Sequence, residues 1–390
     1  MNTPVSMEQA LVPAEENMIR SATLFDYVQN ETATFKEKPF CAEDSLLFTQ
    51  LAYLRLGEYV RPLRRFTLSV PISRLAKPEV LDEITHSIRE SENTARLLTL
   101  AANSRRFSRV RVKFFEAITD EEIDQQFSAT TFLIDSSTAV IAYRGTDNTI
   151  VGWRENFNMA YMTPVPSQTE ATEYLRRAGS ILNRRELHVC GHSKGGNLAV
   201  FAAMFCGRDV QSQIRSVYNI DGPGFKDDLV SGRAMQSIVD RLHVIVPEES
   251  MIGTLLSHAV PYKVVFSTAK GFDQHNPMTW VFDETGSLSY ALSLSRGAMI
   301  FDDIADKWFS GLTNKDRETV VSVLFDIIGR SGASSFDQVI DKIKSGEINA
   351  FRELKNIDAG TRKLLLPLVK ALGLEYVKSK IPFLRGREEK

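Results

Sequence analysis

One serine in the sequence has neighbours that suggest catalysis. Ser193 lies in the run Gly191-His192-Ser193-Lys194-Gly195-Gly196, which contains the pattern G-x-S-x-G. An apolar segment (187–191) precedes the run and a helix-forming segment follows it. On such a strand-to-helix turn the serine hydroxyl stands clear of the sheet, beside backbone N–H groups that can stabilise an oxyanion. We therefore predict Ser193 as a nucleophile; the alternative is a glycine-rich turn without chemistry.

A serine hydroxyl is a weak nucleophile until a base takes its proton. His275 follows a predicted strand (262–268), late in the chain, where this type of site carries its histidine. The other five histidines fit worse, because they precede the predicted sheet, lie within strands, end a short helix or adjoin Ser193. The last of these, His192, is expected to point away, since the turn presents one residue. We predict His275 as the base, against an ordinary solvated loop histidine.

The acid that orients the base is expected between Ser193 and His275 in the chain. Glu248 and Glu249 follow a predicted strand (241–247), and Asp221 ends the strand before it. Chain order favours Glu249 as the acid. Glu248 and Asp221 stay open as alternatives.

The oxyanion hole is expected to combine two N–H donors. One belongs to Lys194, the residue after the serine. The other is assigned to Thr146, which follows the predicted strand 138–143 at a sharp turn and offers a hydroxyl besides its N–H. The alternative for this segment is a structural turn in which Arg144 forms an ion pair.

The elements that position these residues form an α/β pattern. Helical segments come first, then strands rich in β-branched and aromatic residues with a hairpin at 135–137. Helices then alternate with strands, and two of these helices are predicted near 228–239 and 250–258. This alternation predicts a mainly parallel sheet flanked by helices, followed by a helical C-terminal region. We predict a flexible tail over 1–20, a catalytic domain over 21–286 and the helical region over 287–390.

Composition excludes several other classes of protein. The 390 residues are 43% hydrophobic and 25% charged, with 47 basic and 49 acidic side chains and a net charge of −2. This balance argues against nucleic-acid binding and global disorder. Three cysteines without metal-ligand spacing indicate neither a disulfide framework nor a metal site. No apolar run suits membrane insertion and no signal peptide is apparent, so we expect a cytoplasmic protein.

Several segments in collinear order resemble a known family. The segments AVIAYRGT with the following Trp153, and GHSKGG, resemble the class 3 lipase branch of the α/β-hydrolases. Together with NIDGPGF, VPEESMIGTLL and QHNPMTWVF, they resemble more closely the uncharacterised bacterial Mbeg-like hydrolases, over residues 22–290. The resemblance implies an α/β-hydrolase fold with Ser193 and His275 in the nucleophile and base positions. It also places Glu249 as the acid, where class 3 lipases usually have Asp.

The resemblance implies a serine hydrolase of esterase or lipase type, acting on a small ester or lipid without a cofactor. The expected substrates are acylglycerols or lysophospholipids. The alternative is a catalytically silent module that senses a ligand or binds a protein. Lys194 stands where lipases carry Leu, so its cation either favours an anionic substrate or reaches solvent. The segment 147–166 occupies the place of a lipase lid, with ordinary packing on the sheet as the alternative.

Overall fold

The computed structural model describes residues 21–64, 66–348 and 357–366. The predicted tail over 1–20 lies outside these residues, as does most of the segment after 348. Before the parallel part of the sheet, the elements are α1 (Leu24–Asn30), α2 (Ala42–Leu51), β1 (Val70–Pro71), α3 (Ile72–Leu75), α4 (Pro78–Thr85), α5 (Ser91–Asn103), β2 (Arg111–Asp120) and β3 (Gln125–Leu133).

The following elements alternate as predicted. They are β4 (Thr138–Tyr143), α6 (Ile150–Asn158), α7 (Pro166–Ile181), β5 (Glu186–His192), α8 (Lys194–Phe205), α9 (Arg208–Gln211), β6 (Ile214–Ile220), α10 (Asp227–Val230), α11 (Arg233–Gln236), β7 (Leu242–Pro247), β8 (Lys263–Val265) and β9 (Tyr290–Ala291). Short 3-10 helices cover Val239–Arg241, Gly271–His275 and Pro277–Thr279. The chain continues with α12 (Arg296–Ser310), α13 (Asn314–Arg330) and α14 (Phe336–Ser345).

The nine strands form one sheet whose order follows the chain from β1 to β9. Strands β1 to β4 are antiparallel, including the predicted β3–β4 hairpin, and β4 to β8 are parallel. The carboxyl ends of these parallel strands therefore meet at one edge, where Tyr143 pairs with Gly191 and His192 pairs with Ile220. Loops that follow β4 to β8 all begin at this edge.

Helices cover both faces of the sheet, because its strands are apolar on both sides. Side chains of α7 and α8 pack on one face, around Phe127, Ile141 and Val189. The N-terminal helices α1, α2 and α5 cover the other, around Phe132 and Cys190. This mainly parallel sheet between two helical layers, followed by α12 to α14, is the predicted α/β-hydrolase fold.

Three segments differ from their predicted secondary structure. The predicted helix near 250–258 is a series of turns, because Ser250 and Gly253 bond to a side chain outside the segment. The predicted helix near 228–239 is divided into α10 and α11 around Gly232. β8 is shorter than predicted. Among the described residues, no helix has the length and apolar character needed to cross a bilayer.

Candidate active site

The predicted serine lies on a strained turn between β5 and α8. Ser193 has φ 59° and ψ −131° and caps the N-terminus of α8. Positive φ is unfavourable for a residue with a side chain and is found where the surrounding structure enforces it. A Cβ atom on Gly191 would lie 1.9 Å from the Gly195 carbonyl oxygen, and one on Gly195 would lie 2.2 Å from that of Tyr143. The turn therefore requires glycine at both flanking positions.

His275 is held by a buried carboxylate. Its Nδ1 lies 2.6 Å from Oδ2 of Asp221, whose side chain is 1% exposed. The other oxygen of Asp221 accepts bonds from the Ser250 hydroxyl at 2.5 Å and the Gly253 N–H at 3.1 Å. Because the carboxylate accepts from all three groups, Nδ1 of His275 carries a proton and Nε2 is left as the basic nitrogen.

The preference for Glu249 as the partner of His275 disagrees with this geometry. Oε2 of Glu249 accepts from the Gln274 side chain at 3.1 Å and from the N–H of Gly271, and does not contact His275. Chain order misled the prediction because Asp221, directly after β6, already fills the position beside the imidazole. Glu249 instead holds the 3-10 turn that carries His275.

Glu248, the other alternative acid, makes no hydrogen bond to the imidazole among the described residues. Its backbone N–H donates to Val265 of the neighbouring strand, and its carbonyl oxygen accepts from Ser295 at 2.7 Å. Burial and the adjacent carboxylate of Glu249 raise the pKa of Glu248. Of the three candidate acids, Asp221 is the one that contacts His275.

The side chain of His192 does not point away from the site as expected. Its Nε2 lies 2.7 Å from the carbonyl oxygen of His275, and the centres of the two imidazole rings are 4.5 Å apart. Its Nδ1 lies 3.0 Å from the hydroxyl of Tyr53, a residue just after α2. Burial is the main cause, and the nearby imidazole of His275 the second, of a pKa of His192 that lies well below its ordinary value. Sequence reasoning missed both His192 and Tyr53.

The two predicted oxyanion donors lie on adjoining backbone segments. A Cβ atom on Gly145 would meet the Ser193 Cβ at 3.1 Å, so the turn after β4 is in close contact with the serine. The hydroxyl of Thr146 accepts a hydrogen bond of 2.5 Å from Asn156 on α6. Its own proton therefore remains available to a substrate oxygen. The backbone N–H of Lys194 begins α8, at the positive end of the helix dipole.

The side chain of Lys194 neither reaches solvent nor faces a substrate. Its Nζ lies 2.9 Å from Oε2 of Glu155 on α6 and 3.0 Å from Oε1 of Gln126, and the ion pair is fully buried. Glu155 also accepts bonds from the N–H and hydroxyl of Ser167, each at 2.7 Å. Both expectations for this cation, an anionic substrate or solvent, are therefore wrong.

The segment 147–166 also packs against the C-terminal helices. Trp153 and Phe157 of α6 pack against a cluster from α13 and α14 that contains Phe325 and Val339. Just before α6, the side-chain amide of Asn148 exchanges two hydrogen bonds with Asp337 on α14, at 2.8 and 3.0 Å. The C-terminal helices therefore cover the segment for which a lid was considered.

A cavity of about 180 Å³ lies in front of Ser193. Its walls combine the predicted serine, histidine and threonine with polar and aromatic side chains: Ser193, His275, Thr146, His192, Tyr53, Gln50, Arg89, Glu90, Thr94, Trp153, Phe272, Asp273, Asn276 and Thr279. In the part of the chain that the structure describes, no group of His, Cys, Asp or Glu side chains has the arrangement of a metal site.

Solved structures with some similarity to the chain include fungal lipases. A fungal lipase is 13% identical, with a TM-score of 0.37, covering 63% of this chain and 82% of that one. The mono- and diacylglycerol lipase of Aspergillus oryzae is 12% identical, with a TM-score of 0.37 and coverages of 65% and 86%. For a propeptide complex of Rhizomucor miehei lipase, the values are 14%, 0.34, 64% and 78%. These similarities are weak by both measures.

The search of curated proteins gives no match to the sequence. A protein family is nevertheless identified, because the sequence profile described as Mbeg1-like matches residues 101–326. The match covers more than half of the chain and contains the serine turn, Asp221 and His275. The chain belongs to the Mbeg1-like family.

Proposed function

We propose that this protein is a serine hydrolase that cleaves carboxylic esters. The observation that carries the proposal is the buried contact of 2.6 Å between Asp221 and His275, beside a serine on a strained turn at the same cavity. An aspartate on Nδ1 fixes the tautomer that leaves Nε2 as a general base. A module that only binds a ligand has no use for this arrangement.

The proposed reaction proceeds through an acyl-enzyme. Nε2 of His275 takes the proton of Ser193 as Oγ attacks the ester carbonyl, and the oxyanion is held by the N–H groups of Thr146 and Lys194 and by the Thr146 hydroxyl. The protonated histidine then gives its proton to the leaving alcohol. Water, deprotonated by the same histidine, attacks the acyl group and releases the acid and the free serine.

Ser193 Oγ makes no hydrogen bond within the described residues, so the reaction requires it to approach His275 when substrate binds. Such contacts often tighten only in the substrate complex. Trp153 and Phe272 supply apolar walls to the cavity, which suits the acyl chain of an acylglycerol or lysophospholipid.

The test is labelling of the purified protein with a fluorophosphonate, which reacts with activated serines. We expect the wild type to label, and Ser193→Ala and His275→Ala to abolish labelling while remaining folded. Ser136→Ala, at an exposed serine in the β3–β4 turn, is the matched control and is expected to label normally. A folded wild type that does not label would refute the proposal. A p-nitrophenyl ester series of increasing chain length then measures acyl preference.

A further inference from the structure

We infer that His192 and Tyr53 form a positioning pair that holds the backbone of His275 through a neutral imidazole of one fixed tautomer. The inference rests on the proposed function, because positioning matters only if His275 acts as a base. It assigns a role to the histidine beside the nucleophile and to a tyrosine from the N-terminal helical layer.

The tautomer follows from the two partners of the ring. The carbonyl oxygen of His275 can only accept, so Nε2 of His192, at 2.7 Å, must carry a proton. In a neutral imidazole Nδ1 then accepts, and the Tyr53 hydroxyl at 3.0 Å is the donor. Tyr53 therefore satisfies the acceptor nitrogen of the form of His192 that bonds His275.

The bond from His192 restrains the backbone of His275, which the bond from its side chain to Asp221 does not. A single hydrogen bond to Asp221 orients the imidazole but leaves the supporting turn free to shift. That turn is short, and its other anchors lie on earlier residues: Glu249 at Gly271, and Trp280 at the carbonyl oxygen of Gln274, at 2.8 Å. Among the described residues, the bond from His192 is the one side-chain bond made to the backbone of His275 itself.

The neutrality of His192 also matters. The ring centres of His192 and His275 are 4.5 Å apart, and the proposed reaction makes His275 a cation. A second cation at that distance would oppose this charge. A buried, neutral ring can contact His275 in both of its protonation states.

The test compares His192→Phe, which keeps an aromatic ring, with His192→Gln, whose amide N–H can replace the donor at Nε2. We expect His192→Phe to lower kcat for a p-nitrophenyl ester by about 10- to 100-fold, as for small displacements of catalytic groups. KM should change by about twofold or less, since the phenyl ring keeps an aromatic side chain at the cavity wall. His192→Gln should restore at least half of the loss on a logarithmic scale. Equal losses in both variants, or none in His192→Phe, would overturn the inference.

A double-mutant cycle tests the role of Tyr53. Tyr53→Phe should lower kcat in the wild-type background, because Nδ1 of His192 loses its donor and is left buried without a partner. In the His192→Phe background the same change should have little further effect. Losses that simply multiply would show that the two residues act separately.

A spectroscopic measurement separates this inference from the proposed function. Long-range proton–nitrogen correlation spectra of the full-length protein report the tautomer of each imidazole, with His192→Gln providing the assignment. We expect His192 to be protonated at Nε2 in the wild type. If the wild type fails to label with fluorophosphonate, the hydrolase proposal fails, yet the spectra still decide the pairing. A wild-type His192 protonated at Nδ1 would refute the pairing whatever the activity.

Discussion

Lys194 and Glu155 form a fully buried ion pair, with 2.9 Å between Nζ and Oε2. The backbone N–H of Lys194 is a proposed oxyanion donor, while its side chain extends to α6. Burial lowers the pKa of Lys194, against the opposing effect of Glu155. Each charge is therefore retained in the interior by the other, and the pair connects the start of α8 to α6.

We predict that Lys194→Met destabilises the protein by about 3–5 kcal/mol, because it leaves the carboxylate of Glu155 buried and unpaired. Adding Glu155→Gln should recover part of this loss. The free energy of unfolding in urea is the measurement. Arg176→Ala, at an exposed ion pair with Glu173, is the control and should cost about 1 kcal/mol or less. A loss in Lys194→Met no greater than in this control would contradict the prediction.

The identity of the acid is tested by two carboxamide substitutions. Asp221→Asn should lower kcat by on the order of 10⁴-fold, because an amide can stabilise the wrong tautomer of His275. Glu249→Gln should lower kcat by about tenfold or less, since it keeps an acceptor for Gly271. Initial rates on one p-nitrophenyl ester decide between them. The larger loss in Glu249→Gln would reinstate the glutamate as the acid.

Thr146 allows the contribution of its hydroxyl to be separated from that of its N–H. We predict that Thr146→Val lowers kcat by about 10²- to 10³-fold, the typical effect of removing an oxyanion donor. Thr146→Ser should retain most of the activity, because it keeps the hydroxyl beside Asn156. Unchanged kcat in Thr146→Val would assign the oxyanion contact to backbone donors alone.

His188 makes stability depend on pH. It lies between Ser216, at 2.7 Å, and the stacked ring of Phe40, and burial lowers its pKa from 6.5 to about 4. Below pH 6.5, His188 is therefore protonated in the unfolded chain, whereas in the folded protein it becomes protonated only at about pH 4. Stability is lost as the pH falls through this interval, at up to about 1.4 kcal/mol per pH unit.

Replacing this histidine tests the origin of the slope. His188→Asn should flatten the dependence of unfolding free energy on pH by about one proton over that interval, when urea unfolding is measured at several pH values. Some slope should remain, because the pKa values of His192 and His243 are lowered too. An unchanged slope in the variant would show that His188 binds its proton equally in both states.

Most of what could be predicted from the sequence came from short local patterns. The serine turn is encoded within six residues, since Gly191 and Gly195 meet backbone that only glycine tolerates. Alternating strands and helices predicted the sheet, and therefore the edge at which Ser193 and His275 meet.

The choice of acid depended on packing that no local pattern encodes. Asp221 and Glu249 both follow parallel strands, and which carboxylate reaches the imidazole depends on where the turn at 271–275 lies. The position of the Lys194 side chain could not be predicted for the same reason, because its partner Glu155 comes from a separate helix.

The direction of His192 was available from the alternation of β5. Cys190 belongs to the face covered by the N-terminal helices, so residue 192, two positions on, shares that face. Tyr53, by contrast, lies far away in the chain and no pattern marks it. Its contact with His192 is a product of tertiary packing alone.

The contacts on both sides of α6 restrain its outward movement. An outward movement of α6 would separate Glu155 from Lys194 and Asn148 from Asp337 at the same time. A buried lysine without its carboxylate is costly, so the Lys194–Glu155 ion pair opposes this movement. For the proposed hydrolase, we expect a substrate to enter at the rim where Arg89 and Phe272 are exposed. A rigid aperture, and not a moving gate, would then limit the width of the ester that reaches Ser193.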